Sequence, residues 1–200
     1  MKRKSEGACD LITQLDLSIL DWIQAHLRCG LLDTVMPIIT LFGEGGIFWI
    51  VLALALLAIP RTRKVGLCMA LALIADVLLC NVTIKPLVAR PRPWTIRPEM
   101  EAVIRELTKL PSGYSFPSGH TAVSFSGAGT LLLLKTRGRV PASALAVLVG
   151  LSRLYLYVHY PTDVLCGALL GLLCGFLGAR VGRKLWSGIT QKKQRKQSNE

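Results

Sequence analysis

Acidic residues are scarce in this chain: Asp and Glu number 12 against 24 Lys and Arg, for a formal net charge of +12. The few carboxylates form no cluster, so the sequence offers no ready magnesium or calcium site and no metal is expected. Charge of either sign is thin, at 18% of residues, and aromatics supply only 6%. A soluble domain carries more charge than this, about 25%. The six cysteines include no C-x-x-C pair and no adjacent histidine set, which leaves neither a zinc site nor a disulfide framework to build on. Cys68, Cys80, Cys166 and Cys174 fall inside apolar runs, where a thiol acts as a small hydrophobe. A cleavable leader is not expected, because Asp16 and Asp21 interrupt the stretch that would form its apolar core. Arg28 before Cys29 likewise argues against a lipoprotein cleavage site.

What the chain has in quantity is hydrocarbon. Of its 200 residues 52% are hydrophobic, and the mean hydropathy is +0.47. That composition predicts an all-α, polytopic membrane bundle of five to six transmembrane helices with an N-terminal amphipathic segment. Five stretches qualify as spans: 46–59, 65–84, 121–134, 140–158 and 164–181. Several fall short of the ~20 apolar residues of an ideal crossing and must borrow flanking residues. Tyr155, Tyr157 and Trp49 suit interfacial positions. The positive charge sits in short clusters between apolar runs, at 2–4, 61–64, 135–139 and 183–196. No basic helix or aromatic-studded strand accompanies them, so the bilayer and its anionic lipids are the expected partners and nucleic acid is not. Putting 61–64, 135–139 and the C-terminal tail in the cytoplasm satisfies the positive-inside tendency with even numbers of crossings between them. The stretches 85–120 and 159–163 then face the other, extracytoplasmic side of the cell membrane.

Residues 11–27 carry Ile12, Leu15, Ile19, Trp22 and Ile23 at helical spacing, with Gln14, Asp21, Gln24 and Arg28 opposite. So polar a helix is read as lying on the membrane; a sixth span is the alternative. Between 86 and 116 a short helix is expected, opened near Pro98 and Glu99 and closed by Pro111-Ser112-Gly113. The membrane domain is placed at 1–183, with 1–30 amphipathic and 85–163 holding the motifs. The basic remainder, 184–200, is expected to be a disordered cytoplasmic tail. Asp76, inside an apolar span, is expected to make an interhelical hydrogen bond and to lie too deep to touch the site.

Three polar stretches sit at the ends of those spans: KPLVARPRP at 85–93, PSGH at 117–120 and SRLYLYVHYPTD at 152–163. Taken singly they are bland. A histidine at a helix end is usually a cap, an interfacial Lys or Arg usually reaches for headgroups, and Ser118 or Gly119 suits an N-cap or a turn. Together they converge. The hairpin of 121–134 and 140–158 has arms of similar length, so His120 and His159 return to one membrane face, and Lys85 and Arg92 arrive there from the preceding span.

The spacing K-x6-R-P (Lys85, Arg92, Pro93), P-S-G-H (Pro117 to His120) and S-R-x5-H-x3-D (Ser152, Arg153, His159, Asp163) resembles the three signature motifs of the type 2 phosphatidic acid phosphatase superfamily. Arg90-Pro91 also reads R-P, but only Arg92 has the six-residue spacing from Lys85. The resemblance implies a lipid phosphatase that works through a phosphohistidine. His159 would be the nucleophile, oriented by Asp163, and His120 the proton donor and later the base. Lys85, Arg92 and Arg153, with Ser118 and the Gly119 amide, would hold the phosphate oxygens. Three fixed cations call for no cofactor. The implied substrate is a polyprenyl diphosphate such as undecaprenyl diphosphate, which the basic site favours, or a glycerolipid such as phosphatidate or phosphatidylglycerophosphate. A non-catalytic headgroup-binding or lipid-transport protein is the alternative, and it would not need His159.

Overall fold

The computed structural model of the chain describes residues 2–197; of the basic tail, 198–200 lie outside the described residues. Among the described residues ten α-helices follow one another: α1 (Lys2–Leu27), α2 (Gly30–Leu41), α3 (Ile47–Ala58), α4 (Arg63–Asp76), α5 (Lys85–Val88), α6 (Pro93–Ile96), α7 (Met100–Leu107), α8 (Gly119–Leu133), α9 (Arg139–Tyr155) and α10 (Pro161–Gln197). No strand occurs among the described residues. Between α4 and α5 the helix continues without a break as a π-helix, Val77–Ile84.

The bundle wears its hydrocarbon outside. Ile50, Val51 and Leu54 of α3, Ile74 of α4, Leu132 of α8, Val147 and Leu151 of α9, and Leu165, Leu169 and Leu173 of α10 are exposed, while Ser124, Ser126, Thr130 and Asp76 are buried. That inversion is what lipid as the outer solvent selects. Three helical stretches are long and apolar enough to cross a membrane: Gly30–Ala58, Arg63–Ile96 and Pro161–Lys192. The expected spans 121–134 and 140–158 are α8 and α9, of 15 and 17 residues. At 1.5 Å per residue α8 is about 22 Å long, short of the ~30 Å hydrocarbon core.

α10 is the central post, packed on both α8 and α4. Gly171 sits so close to α8 that a Cβ there would lie 2.2 Å from the carbonyl oxygen of Ala122. Small residues at four-residue spacing allow such backbone contact between membrane helices. Trp49, expected at an interface, is instead fully buried between α3 and α8, where its indole N–H donates to the Ser124 hydroxyl at 3.2 Å. Tyr155 and Tyr157 are buried as well, because each hydroxyl finds a carboxylate: Asp33 on α2 at 2.7 Å and Asp21 on α1 at 2.6 Å.

Those contacts dock α1 against the end of α9 and the start of α10. Leu17 and Leu20 join Ile104 of α7 and the segment from Tyr155 to Tyr160 in one buried cluster, and Leu11, Ile12, Leu15, Ile19 and Trp22 face outward. Asp21 and Gln24 of the polar stripe meet protein, at the Tyr157 hydroxyl and the Tyr155 carbonyl, while Gln14 and Arg28 stay exposed and the outward apolar residues are left for lipid. The expected helix between 98 and 113 forms as α7. The tail is not irregular through its described length: helix α10 continues to Gln197. After Pro161 no proline interrupts it, and Lys, Arg and Gln in its last turns are good helix formers.

Candidate active site

Lys85, Arg92, Gly119, His120, Arg153 and His159 line one cavity of 290 Å³. The two imidazoles thus share a single chamber, although they stand 39 positions apart along the chain. Gly119 and His120 come from the first turn of α8, Arg153 from the last turn of α9, and His159 from the connection into α10. Lys85 opens α5 directly after the π-helix, and Arg92 caps α6.

His159 is buried, and Asp163 stands behind it with no exposure at all. The imidazole Nδ1 lies 3.5 Å from Asp163 Oδ2, and Arg92 Nη1 lies 3.3 Å from Nε2. A guanidinium only donates, so Nε2 holds the lone pair and Nδ1 the hydrogen, on the side where Asp163 Oδ2 and the Ser115 hydroxyl both lie 3.5 Å away. Burial pushes the imidazole down to about 3, with Arg92 and Arg153 acting in the same direction and Asp163 against them. His159 is therefore a neutral base at pH 7, its free nitrogen turned towards the cations. Asp163 itself is fixed from three other sides: it accepts from the Ser115 hydroxyl, from the Tyr160 amide at 3.0 Å and from Arg90 at 2.7 Å.

The cations are held without being neutralised. Arg92 donates to the carbonyl oxygens of Ser112, Gly113 and Val158 at 3.1, 2.9 and 2.9 Å. Arg153 donates to the Thr40 hydroxyl, while its Nε–H has no partner among the described residues and the side chain is only 2% exposed. None of Lys85, Arg92 and Arg153 makes an ion pair among the described residues. Three buried or half-buried cations around a void, one with a spare donor, call for an anion with several oxygens.

Ser118 departs from its expected place. Its hydroxyl is buried and accepts from Thr121 at 2.9 Å, and its amide donates to the Asp163 carbonyl at 3.1 Å, so it braces the wall and does not line the cavity. Asp76 departs too. It lines the cavity, and neither carboxylate oxygen has a partner among the described residues, so the expected interhelical hydrogen bond is not made. Two further residues escaped the sequence reading. Glu44, in a tight turn where Gly45 and Gly46 take positive φ, accepts from His120 Nε2 at 3.0 Å. A lone acid among three glycines at the end of an apolar run was the available signal. Arg90 joins Asp163 to Asp16 of α1, at 2.7 and 2.8 Å. Its place in the R-P-R-P repeat had marked it only as the wrong-spaced arginine.

A membrane-embedded phosphatase for lipid phosphates is the class that this bundle and its cationic, imidazole-bearing chamber define. Comparison with known proteins agrees. The PAP2 superfamily profile matches residues 64–187. An undecaprenyl-diphosphatase from Sulfolobus acidocaldarius is 34% identical over 152 residues, covering 75% of this chain and 70% of that protein. Phosphatidylglycerophosphatase B of Bacillus subtilis is 33% identical over 159 residues, covering 74% and 68%. In three dimensions the crystal structure of Aquifex aeolicus LpxE superposes with a TM-score of 0.67 at 29% identity, over 83% of this chain and 95% of that one. The chain belongs to the PAP2 superfamily.

Proposed function

We propose that this protein hydrolyses the phosphate or diphosphate ester of a membrane lipid through a phosphohistidine on His159, at the extracytoplasmic side of the cell membrane. The observation that carries this reading is the trio Lys85, Arg92 and Arg153, unpaired by carboxylates among the described residues, around a neutral His159 whose unprotonated Nε2 lies 3.3 Å from Arg92 Nη1. In the first step Nε2 attacks phosphorus, the P–O bond to the lipid breaks, and His120 gives its proton to the departing oxygen. Asp163 stabilises the imidazolium that forms, by accepting from Nδ1–H. Glu44, 3.0 Å from Nε2, orients His120 and favours the protonated imidazole that the first step needs; the neutral His120 which that step leaves is the base of the second. In the second step His120 takes a proton from water, the hydroxide attacks phosphorus, and the P–N bond breaks to release inorganic phosphate. The cations balance charge growing on the equatorial oxygens.

The orientation is supported by the basic turns at 61–64 and 135–139 and by the tail of α10, all at the helix ends away from the cavity. The S. acidocaldarius and B. subtilis relatives carry the names of a polyprenyl-diphosphate and a phosphatidylglycerophosphate phosphatase, and both substrate types suit a recessed cationic chamber. The test is phosphate release by purified protein in detergent with EDTA present. The expected result is turnover with EDTA, inhibition by vanadate, and loss of turnover in His159→Ala and His120→Ala with lipid binding retained. Strict dependence on added Mg²⁺, or full activity of His159→Ala, would overturn the mechanism.

A further inference from the structure

The deep wall of the cavity is chemically unlike its cationic rim. Asp76, Asn81, Gly46 and Val123 line it, and Val123 stands one turn further into the membrane than His120. Asp76 is 1% exposed, and both its oxygens lack a partner among the described residues. Its presence in the chamber depends on the π-helix. In an unbroken α-helix, nine residues at about 100° each would put Asp76 and Lys85 on opposite faces. The i→i+5 pattern over Val77–Ile84 lowers the step to about 82°, which returns the two residues to within about 20° of one face. Asn81 falls between them on the same side. π-Helical turns are costly and concentrate at functional sites. Here the distortion delivers a carboxyl group to the same void as the phosphate-holding lysine, whose ammonium reaches down the wall to the level of Asn81, both lying beside Gly119.

We propose that Asp76, with Asn81 beside it, is a subsite that accepts a hydrogen bond from a free hydroxyl on the alcohol portion of the lipid phosphate; this rests on the phosphoryl-transfer reading of the same cavity. His159 attacks from the rim, so the leaving oxygen points past His120 towards the deep wall, where the lipid portion must continue. Whatever that portion carries next to the ester meets Asp76. Charged or protonated, the carboxyl group presents lone pairs that no protein donor satisfies, and a buried acceptor of this kind costs several kcal/mol unless a ligand supplies the donor. A hydroxyl does so. A second phosphate would set its oxygen lone pairs against those of the ionised carboxylate. The substrate class so selected is a phosphate ester of a polyol, glycerol or a sugar, bearing a free hydroxyl beside the ester carbon.

A matched pair isolates that hydroxyl: phosphatidylglycerophosphate, and the analogue with propane-1,3-diol in place of the phosphorylated glycerol. Both are presented to the full-length protein in mixed micelles, and kcat/KM is measured for wild type, Asp76→Leu and Asp76→Asn, with thermal melting to confirm folding. A site built to bond a hydroxyl rejects the analogue lacking it, and a hydrogen bond to a charged group corresponds to about tenfold or more. Wild type should prefer the glycerol compound by at least that factor. Asp76→Leu should bring the ratio to near one, and Asp76→Asn, which keeps an acceptor oxygen, should fall between. The proposal is overturned if wild type does not discriminate, if the ratio survives in Asp76→Leu, or if folded variants lose both substrates in parallel. No turnover of any lipid phosphate by wild type would instead remove the phosphatase reading itself.

Discussion

Replacing Arg90 with leucine removes one guanidinium and strands two carboxylates. Arg90 donates to Asp163 at 2.7 Å, to Asp16 at 2.8 Å and to the Thr162 hydroxyl at 2.8 Å, and lies 3.8 Å over the Tyr160 ring. Asp16 is 2% exposed and Asp163 0%. At an effective dielectric of about 20, each contact at this range is worth on the order of 4 kcal/mol, and breaking a buried pair by deleting one partner costs about 3–5 kcal/mol. The expected loss of stability for Arg90→Leu lies in that range, because one cation serves both carboxylates. The expected loss of kcat is about 10²- to 10³-fold, since Asp163 loses its one cation and keeps only the Ser115 hydroxyl and the Tyr160 amide to fix it behind His159; losing a carboxylate in the equivalent role elsewhere costs about 10⁴. Asp16→Asn differs in kind. It gives up one charge-assisted bond, about 1.5–3 kcal/mol, but leaves Arg90 on Asp163, so kcat should fall by less than tenfold. The assay is p-nitrophenyl phosphate hydrolysis in detergent, run below the melting temperature of each variant. A folded Arg90→Leu protein with kcat within threefold of wild type would refute the bracket.

Three further outcomes concern the buried imidazole and the packing of α10. His159 is held near 3 in the folded state against about 6.5 when unfolded, so above pH 6.5 neither state binds the proton and the group contributes nothing to the pH slope. Below 6.5 only the unfolded chain takes it up, and stability falls by about 1.4 kcal/mol per pH unit down to the folded value, or about 2 kcal/mol at pH 5. His159→Gln should lack that slope, and melting at pH 7 and pH 5 reads the difference; identical slopes would show that the imidazole is not buried neutral. Gly171→Ala brings a methyl group to 2.2 Å from the Ala122 carbonyl, so α8 and α10 must part, with an expected cost of about 1–3 kcal/mol and reduced turnover. Gly188→Ala in the same helix meets nothing within 4 Å and should be neutral or stabilising by up to about 1 kcal/mol.

The sequence makes the chemistry legible because phosphate chemistry needs residue types that lipid does not. A Lys, two Arg and two His at the ends of apolar runs have few other reasons to share a face, and they do line one chamber. Periodicity served less well wherever polarity and location part company. Trp49 and the tyrosines look interfacial by residue type, yet each is buried because a partner for its polar tip lies on another helix. Asp76 looks remote because residue counting assumes 3.6 residues per turn, and a π-helix is invisible to that count. Glu44 and Asp16 stand far from the motifs along the chain, and only the docking of α1 and the turn before α3 bring them in.

Arg90 and Arg92 stand two residues apart in the same R-P-R-P repeat, and their surroundings divide their work. Arg90 is met by two carboxylates, so its charge is already used within the protein, and what it supplies is position. Arg92 is met by three carbonyl oxygens, which fix the direction of its N–H bonds but cancel no net charge. Arg153 follows the second pattern, with a hydroxyl from Thr40 and one N–H left over. Burying such groups without counter-ions is expensive, and the cost falls only when an anion enters. A carboxylate placed beside Arg92 would make the empty protein more stable and its affinity for phosphate lower. The choice of neutral acceptors around the rim cations, against ionised ones around Arg90, is therefore what reserves the chamber's charge for the substrate.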